Sequence, residues 1–177
     1  MLFRSGFTVD DDPLGRELLA RGYVPFKNTM VMTASTAALQ PEVARPSGVR
    51  VHLDPVPSPA WWSAWGGNGD TPPVAVRSVL GGSPDQLFAS IEVDGTVVGV
   101  ARLSFAHVWA GVSALQVTPE HRRTGVATQL MGALADESRA RRIRSVYAHV
   151  AQANSPSQRL FERLGFSIHH EYLYLRA

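Results

Sequence analysis

From residue 87 onward the chain alternates. In Leu87–Val93, Leu87, Ala89, Ile91 and Val93 take one face and Phe88, Ser90 and Glu92 the other, the period-two pattern of a half-buried strand. Asp94-Gly95 follows, a pair suited to the two positive-φ positions of a tight hairpin turn. Thr96–Phe105 returns as a second strand, a break is expected near Ala106–Gly111, and Val112–Thr118 makes a third strand that Pro119 ends. Helical spacing then takes over with Val126, Leu130 and Leu134, and the basic run Arg139–Arg144 suits a helix C-terminus. Ser145–Val150 reads as a short strand, Ser155–Leu164 as a helix stopped by Gly165, and Phe166–Leu175 as a closing strand. Upstream, Val49–Leu53 reads as an opening strand, and Pro59–Gly66 and Val74–Leu80 as short helices. The order predicts an α/β (α+β) domain, a mixed central sheet flanked by helices.

Two stretches share a grammar. Glu17-Leu-Leu-Ala-Arg-Gly-Tyr23 and Leu160-Phe-Glu-Arg-Leu-Gly-Phe166 both read as helix, glycine cap, aromatic residue, then strand. Chance resemblance and the remnant of a duplicated domain both account for this weak repeat. Ala34–Gly48 has little periodicity and reads as a connector. The expected organisation is an N-terminal extension over residues 1–34, a linker over 35–47 and the main domain over 48–177.

Composition narrows the field. A chain of 177 residues that is 45% hydrophobic can bury one core with some chain left over. Net charge is +2 and no basic stripe with interleaved aromatics appears, so a nucleic-acid partner is not expected. The absence of cysteine excludes disulfides, thiolate metal sites and a cysteine nucleophile. No apolar run reaches a membrane span, and Met1–Asp12 lacks the apolar core of a signal peptide, so a cytoplasmic protein without a membrane partner is the expectation.

The sharpest chemistry lies in Leu115-Gln-Val-Thr-Pro-Glu-His-Arg-Arg-Thr-Gly-Val-Ala-Thr-Gln-Leu130. A strand runs into a turn, and two arginines, a glycine and a small residue open an amphipathic helix. The free backbone N–H groups at such a helix start, with the helix dipole, favour an anion. Gly125 and Ala127 let a phosphate approach the backbone, while Arg122 and Arg123 add attraction.

This string resembles the acetyl-coenzyme A signature of the GNAT superfamily: arginine or glutamine, two residues, glycine, any residue, then glycine or alanine. Here these are Arg122, Gly125 and Ala127. A second block, Asn154-Ser-Pro-Ser-Gln-Arg-Leu-Phe-Glu-Arg-Leu-Gly-Phe166, resembles that family's Asn-x-x-Ala-x-x-Leu-Tyr-x-x-x-Gly-Phe, with Ser157 in the alanine place and Phe161 in the tyrosine place. The resemblance covers about Val49–Leu175, and Tyr172-Leu-Tyr174 is similar to the ending of bacterial ribosomal-protein acetyltransferase relatives. It implies an N-acetyltransferase that uses acetyl-coenzyme A, without a metal, to acetylate a primary amine by direct attack. Pyrophosphate is expected on Arg122, Arg123, Thr124, Gly125, Val126, Ala127 and Thr128. The pantetheine arm is expected along Leu115, Gln116 and Val117, bordered by Asn154, Ser157 and Phe161, with backbone N–H near Val117 polarising the thioester carbonyl.

Departures follow. Phe161 replaces the family's usual general-acid tyrosine and has no proton to give, so Tyr172, Tyr174 or water must substitute. His149 stands where similar enzymes carry a glutamate base, and alternation puts Tyr147 on its face. The catalytic expectation is therefore His149 with Tyr172. His169 and His170, as strand neighbours, are expected on opposite faces, which argues against a shared metal. Glu92 reads as a solvated strand residue, and Trp61, Trp62 and Trp65 as either pocket wall or core. The acceptor, a small-molecule or peptide amine, cannot be read from the sequence, and a homodimer is admitted. The alternative function is a catalytically silent domain that binds acyl-coenzyme A as a sensor or interaction module.

Overall fold

The computed structural model describes residues 2–5, 12–39, 49–66 and 73–177. Residues 40–48, which include most of the linker expected over 35–47, lie outside the described residues. The chain folds as two compact units, one of Met1–Ala34 with Tyr147–Ala177 and the other of Ser35–Val146. Among the described residues no helix is long and apolar enough to cross a membrane.

The unit of residues 35–146 is an antiparallel meander of β3 (Arg50–Asp54), β4 (Gln86–Val93), β5 (Thr96–Ala106) and β6 (Trp109–Val117), with β3 at its edge. The β4–β5 turn is as expected, with Asp94 at φ 50° and Gly95 at φ 78°. The expected break at Ala106–Gly111 narrows to a turn at His107 and Val108. Ala106 pairs with Trp109 across a two-residue turn in which His107 takes φ 54° without a glycine. β4 is also not half-buried: Phe88, Ala89, Ser90 and Ile91 are all buried. One face meets α4 (Val126–Ala140), and the other meets α2 (Pro59–Gly66) through Trp61 against Phe88, 5.1 Å between ring centroids. Trp61 is 1% exposed and its indole N–H donates to the Ala89 carbonyl at 3.0 Å. The tryptophans are thus core, with Trp62 and Trp65 packed on the same cluster. Losing the Trp61 side chain would cost about 3–5 kcal/mol. The next helix, α3 (Val74–Gly81), has no buried residue.

The other unit orders its strands β1 (Leu2–Ser5), β8 (Ser167–Arg176), β2 (Val24–Ser35), β7 (Ser145–Ala151). β8 is antiparallel to both β1 and β2. Each long strand follows a helix closed in the same way. After α1 (Pro13–Ala20), Gly22 sits at φ 84° and its N–H donates to Leu19 while Tyr23 N–H donates to Leu18. After α5 (Ser155–Arg163), Gly165 sits at φ 85°, donating to Glu162 while Phe166 donates to Phe161. Both are Schellman closures, in which a left-handed glycine satisfies the last carbonyls. Within this unit the two helix–strand segments then pair strand to strand about one point. Thr29, seven residues after Gly22, pairs with Tyr172, seven after Gly165. Its flanking pairs, Asn28 with Leu173 and Met30 with Glu171, are related by the same local two-fold axis.

Candidate functional site

In the unit of residues 35–146 the site region starts at an irregularity of β6. Val100 pairs with Gln116 and Arg102 with Ser113, so Ala114 and Leu115 together oppose Ala101. This is a β-bulge, and Ala114 adopts φ 53°. It takes backbone groups out of the ladder beside the expected Leu115, Gln116 and Val117. Buried Arg102 braces it, donating to Gln86 Oε1 at 2.8 Å and Ser113 Oγ at 3.2 Å. Neither feature was foreseen. Alanine carries no positive-φ signal, but a lone arginine in the apolar run Val97–Leu103 was a readable one.

After β6 a single 3-10 turn, Pro119–His121, leads to the phosphate-type turn. The Thr118 hydroxyl lies 3.0 Å from His121 Nδ1, and the Thr124 hydroxyl donates to the His121 carbonyl at 2.7 Å. Arg122 folds back to donate from Nε to the Val117 carbonyl at 3.2 Å. Arg123 takes φ 63° and Gly125 φ 91°, so the backbone curls just before α4. Gly125 is the N-cap and no side chain caps the helix, which leaves its first N–H groups for an anion. A Cβ on Gly125 would meet nothing nearer than Gln129 Nε2 at 3.9 Å, so the space above the turn is open. Beneath it Gly99 lets α4 close on β5: a Cβ there would lie 2.4 Å from Val126 Cγ1. A cavity of about 460 Å³ opens beside Gln116, Thr118 and Glu120 and is walled by Ala60, Ser63 and Ala64 of α2. Residues expected from Leu115 to Thr128 therefore gather into one turn-and-bulge region.

In the other unit His149 is exposed on β7, its Nδ1 2.8 Å from the hydroxyl of buried Tyr172. The Tyr172 hydroxyl lies 3.3 Å from that of Tyr174. Tyr147 packs on His149 with ring centroids 5.5 Å apart, the shared face that alternation requires. The rings of His149 and Tyr172 meet although β2 runs between their strands, which is possible because β2 places the small Thr29 opposite Tyr172. Asn154 caps α5, its Oδ1 accepting from Ser157 N at 3.2 Å. Phe161 is buried, edge-on to Phe166 at 4.9 Å.

The opposite-face expectation for His169 and His170 is corrected. Val31 pairs with His170 and Met32 with Ile168, so His169 is bulged out and its Nδ1 comes 2.8 Å from that of His170. Among the described residues no group of three or more histidine, aspartate or glutamate side chains could hold a metal ion. Glu92 is half-exposed, 3.8 Å from His52 Nε2.

The acetyltransferase (GNAT) family model matches residues 58–166, most of the chain and all of the turn-and-bulge region. The chain belongs to this family. It is 33% identical over 81 residues to phosphinothricin N-acetyltransferase of Streptomyces viridochromogenes, 43% of this chain and 44% of that one. Streptothricin acetyltransferase of Streptomyces lavendulae is 29% identical over 83 residues, 45% of this chain and 43% of the relative. The matched part is thus under half the length of either curated relative. The fold is that of a GCN5-related N-acetyltransferase from Sphaerobacter thermophilus, with a TM-score of 0.76 at 20% identity over 100% of this chain and 59% of the other.

Proposed function

We propose that the protein is an N-acetyltransferase that moves an acetyl group from acetyl-coenzyme A to a primary amine in a ternary complex. The observation that carries this is the uncapped, glycine-opened start of α4, with open space above Gly125 and a bulged β6 leading into it. Backbone N–H groups from Gly125 to Thr128, with Arg122 and Arg123, would hold pyrophosphate. The bulged stretch Leu115–Val117 would take the pantetheine arm, and Asn154, Ser157 and Phe161 are the further cofactor residues that the family motif assigns. When bound, acetyl-coenzyme A supplies an activated thioester whose acetyl group passes directly to the amine.

The chain's own task is proton handling. His149 is the base, and its hydrogen bonds decide which nitrogen works. If Nδ1–H donates to Tyr172 and the Tyr172 hydroxyl donates to Tyr174, Nε2 keeps its lone pair and accepts the amine proton. In that tautomer Tyr172 orients the imidazole, and its phenol would return a proton, which buried Phe161 cannot. Residues 1–34 are, in the same reading, the remnant of a second closing helix–strand unit, joined through 35–47 to the acetyltransferase domain of 48–177. The matching Schellman closures and the symmetric Thr29–Tyr172 pairing support this. Cytoplasmic residence fits this chemistry.

Two measurements test the proposal. Acetyl-coenzyme A should stabilise the fold by roughly 2.7 kcal/mol at a hundred times its dissociation constant. Thiol release should then appear with some members of a primary-amine panel. A melting temperature unmoved by millimolar acetyl-coenzyme A would overturn the cofactor assignment. Binding without thiol release from any amine would favour the silent, acyl-coenzyme A-sensing domain that Phe161 suggests.

A further inference from the structure

We propose that the amine acceptor also carries an anionic group, and that β2 receives it, with Lys27 holding the anion and Thr29 lying under the amine. The inference rests on the reading of His149 as the acceptor-side base, and it concerns only the face shared by β7, β2 and β8. Directly opposed residues of an antiparallel pair project to the same side. Thr29 opposes Tyr172 and Lys27 opposes Tyr174, so both share the face of the His149–Tyr172–Tyr174 chain.

The two β2 residues are chemically incomplete. Thr29 is 4% exposed, and its Oγ1 has no hydrogen-bond partner among the described residues. A buried hydroxyl left unpaired costs about 1–3 kcal/mol, so an amine that enters beside the His149–Tyr172 contact to bond it is favoured. Lys27 is the sole lysine of the chain, exposed, with no ion pair among the described residues. Next along β8, Arg176 stacks its guanidinium 5.0 Å from the Phe26 ring centre, so this end of the face is cationic. The acidic Glu171 adjoins Tyr172 and, by alternation, belongs to the opposite face. A carboxylate or phosphonate drawn to Lys27 brings an amine a few bonds away over Thr29, beside the imidazole. Two residues of strand separate Lys27 from Thr29, roughly 7 Å. The fitting acceptors are therefore ω-amino acids with a few methylenes between amine and anion, the flexible Lys27 stem setting the range.

The test uses the full chain, a series of ω-amino carboxylates and the n-alkylamines of matching length. Binding is followed by calorimetry without acetyl-coenzyme A, and thiol release is measured separately. The carboxylates should bind at least tenfold more tightly than the alkylamines, and Lys27→Met should erase that difference while Lys27→Arg keeps most of it. Thr29→Val should raise KM for the amine several-fold with acetyl-coenzyme A affinity unchanged, and Thr29→Ser should restore it. Equal binding of the two series, or a carboxylate preference that survives Lys27→Met, would overturn the proposal. Thiol release that is equal for both series would overturn it while leaving acetyl transfer intact. Lys27-dependent carboxylate binding with no thiol release would instead uphold the anion site and sink the transfer reading.

Discussion

The turn before α4 and the face of β7, β2 and β8 are built by opposite means. The first is built of backbone: a bulge at Ala114, curled residues at Arg123 and Gly125, and an uncapped helix start. The second is built of side chains that reach one another over an intervening strand. A backbone site tolerates most side-chain changes but none that fill its concavity. A side-chain site depends on individual functional groups and on whatever the neighbouring strand leaves room for.

Substitutions can break or sharpen that contrast. The largest effect is expected of Gly125→Glu, whose carboxylate would occupy the open space above the turn and repel pyrophosphate. Acetyl-coenzyme A binding should be lost, a hundredfold or more by calorimetry, while circular dichroism still reports a folded chain. Retained affinity within a few-fold would show that the anion site lies elsewhere. His149→Ala comes next. It should lower the rate by roughly a hundredfold, as for a lost general base, and leave acetyl-coenzyme A affinity unchanged. The parent rate should climb with pH as the imidazole gives up its proton, and the variant should lose that acid limb. His149→Glu should recover part of the rate. A parental rate and profile in His149→Ala would return His149 to a packing role.

Gly99→Ala probes the support under the backbone site rather than the site itself. Its Cβ would lie 2.4 Å from Val126 Cγ1, so the Val126 side chain or α4 must give way, at a cost of about 1–3 kcal/mol in urea unfolding. A neutral result would mean that Val126 or α4 is free to move away from β5. Arg122→Ala should have the smallest effect, a few-fold weaker and less salt-sensitive acetyl-coenzyme A affinity, because the exposed guanidinium supplements N–H groups that remain.

The same contrast explains what could be read from the sequence. Glycine and small residues after a strand announce a backbone cradle locally, and period-two and helical patterns placed the strands and α-helices from Val49 onward within about three residues, whereas no pattern marked β1. The hairpin at Asp94-Gly95 and the caps at Gly22 and Gly165 were legible because positive φ is cheap for glycine. Positive φ at Ala114 and His107 was not, since tertiary pairing imposed it against residue preference. Thr29 and Lys27 were invisible as site residues for another reason. Their proposed role depends on β2 lying beside β8, a non-local pairing that no spacing within residues 24–35 records. His169 misled because alternation assumes an unbroken ladder, and the bulge there breaks it.

That placement of β2 also bears on how the chain reaches its fold. Asn28 bonds to Gln152 across 124 residues, and the register with β8 reaches further still. A ribosome delivers β2 long before either neighbouring strand exists. Its apolar stretch Met30, Val31 and Met32, buried in the end, must wait with its ladder groups unmatched. Contacts so distant along the chain slow folding, and the waiting strand is an aggregation hazard. The segment that completes the proposed acceptor face is therefore made well before its partners and is among the last secured.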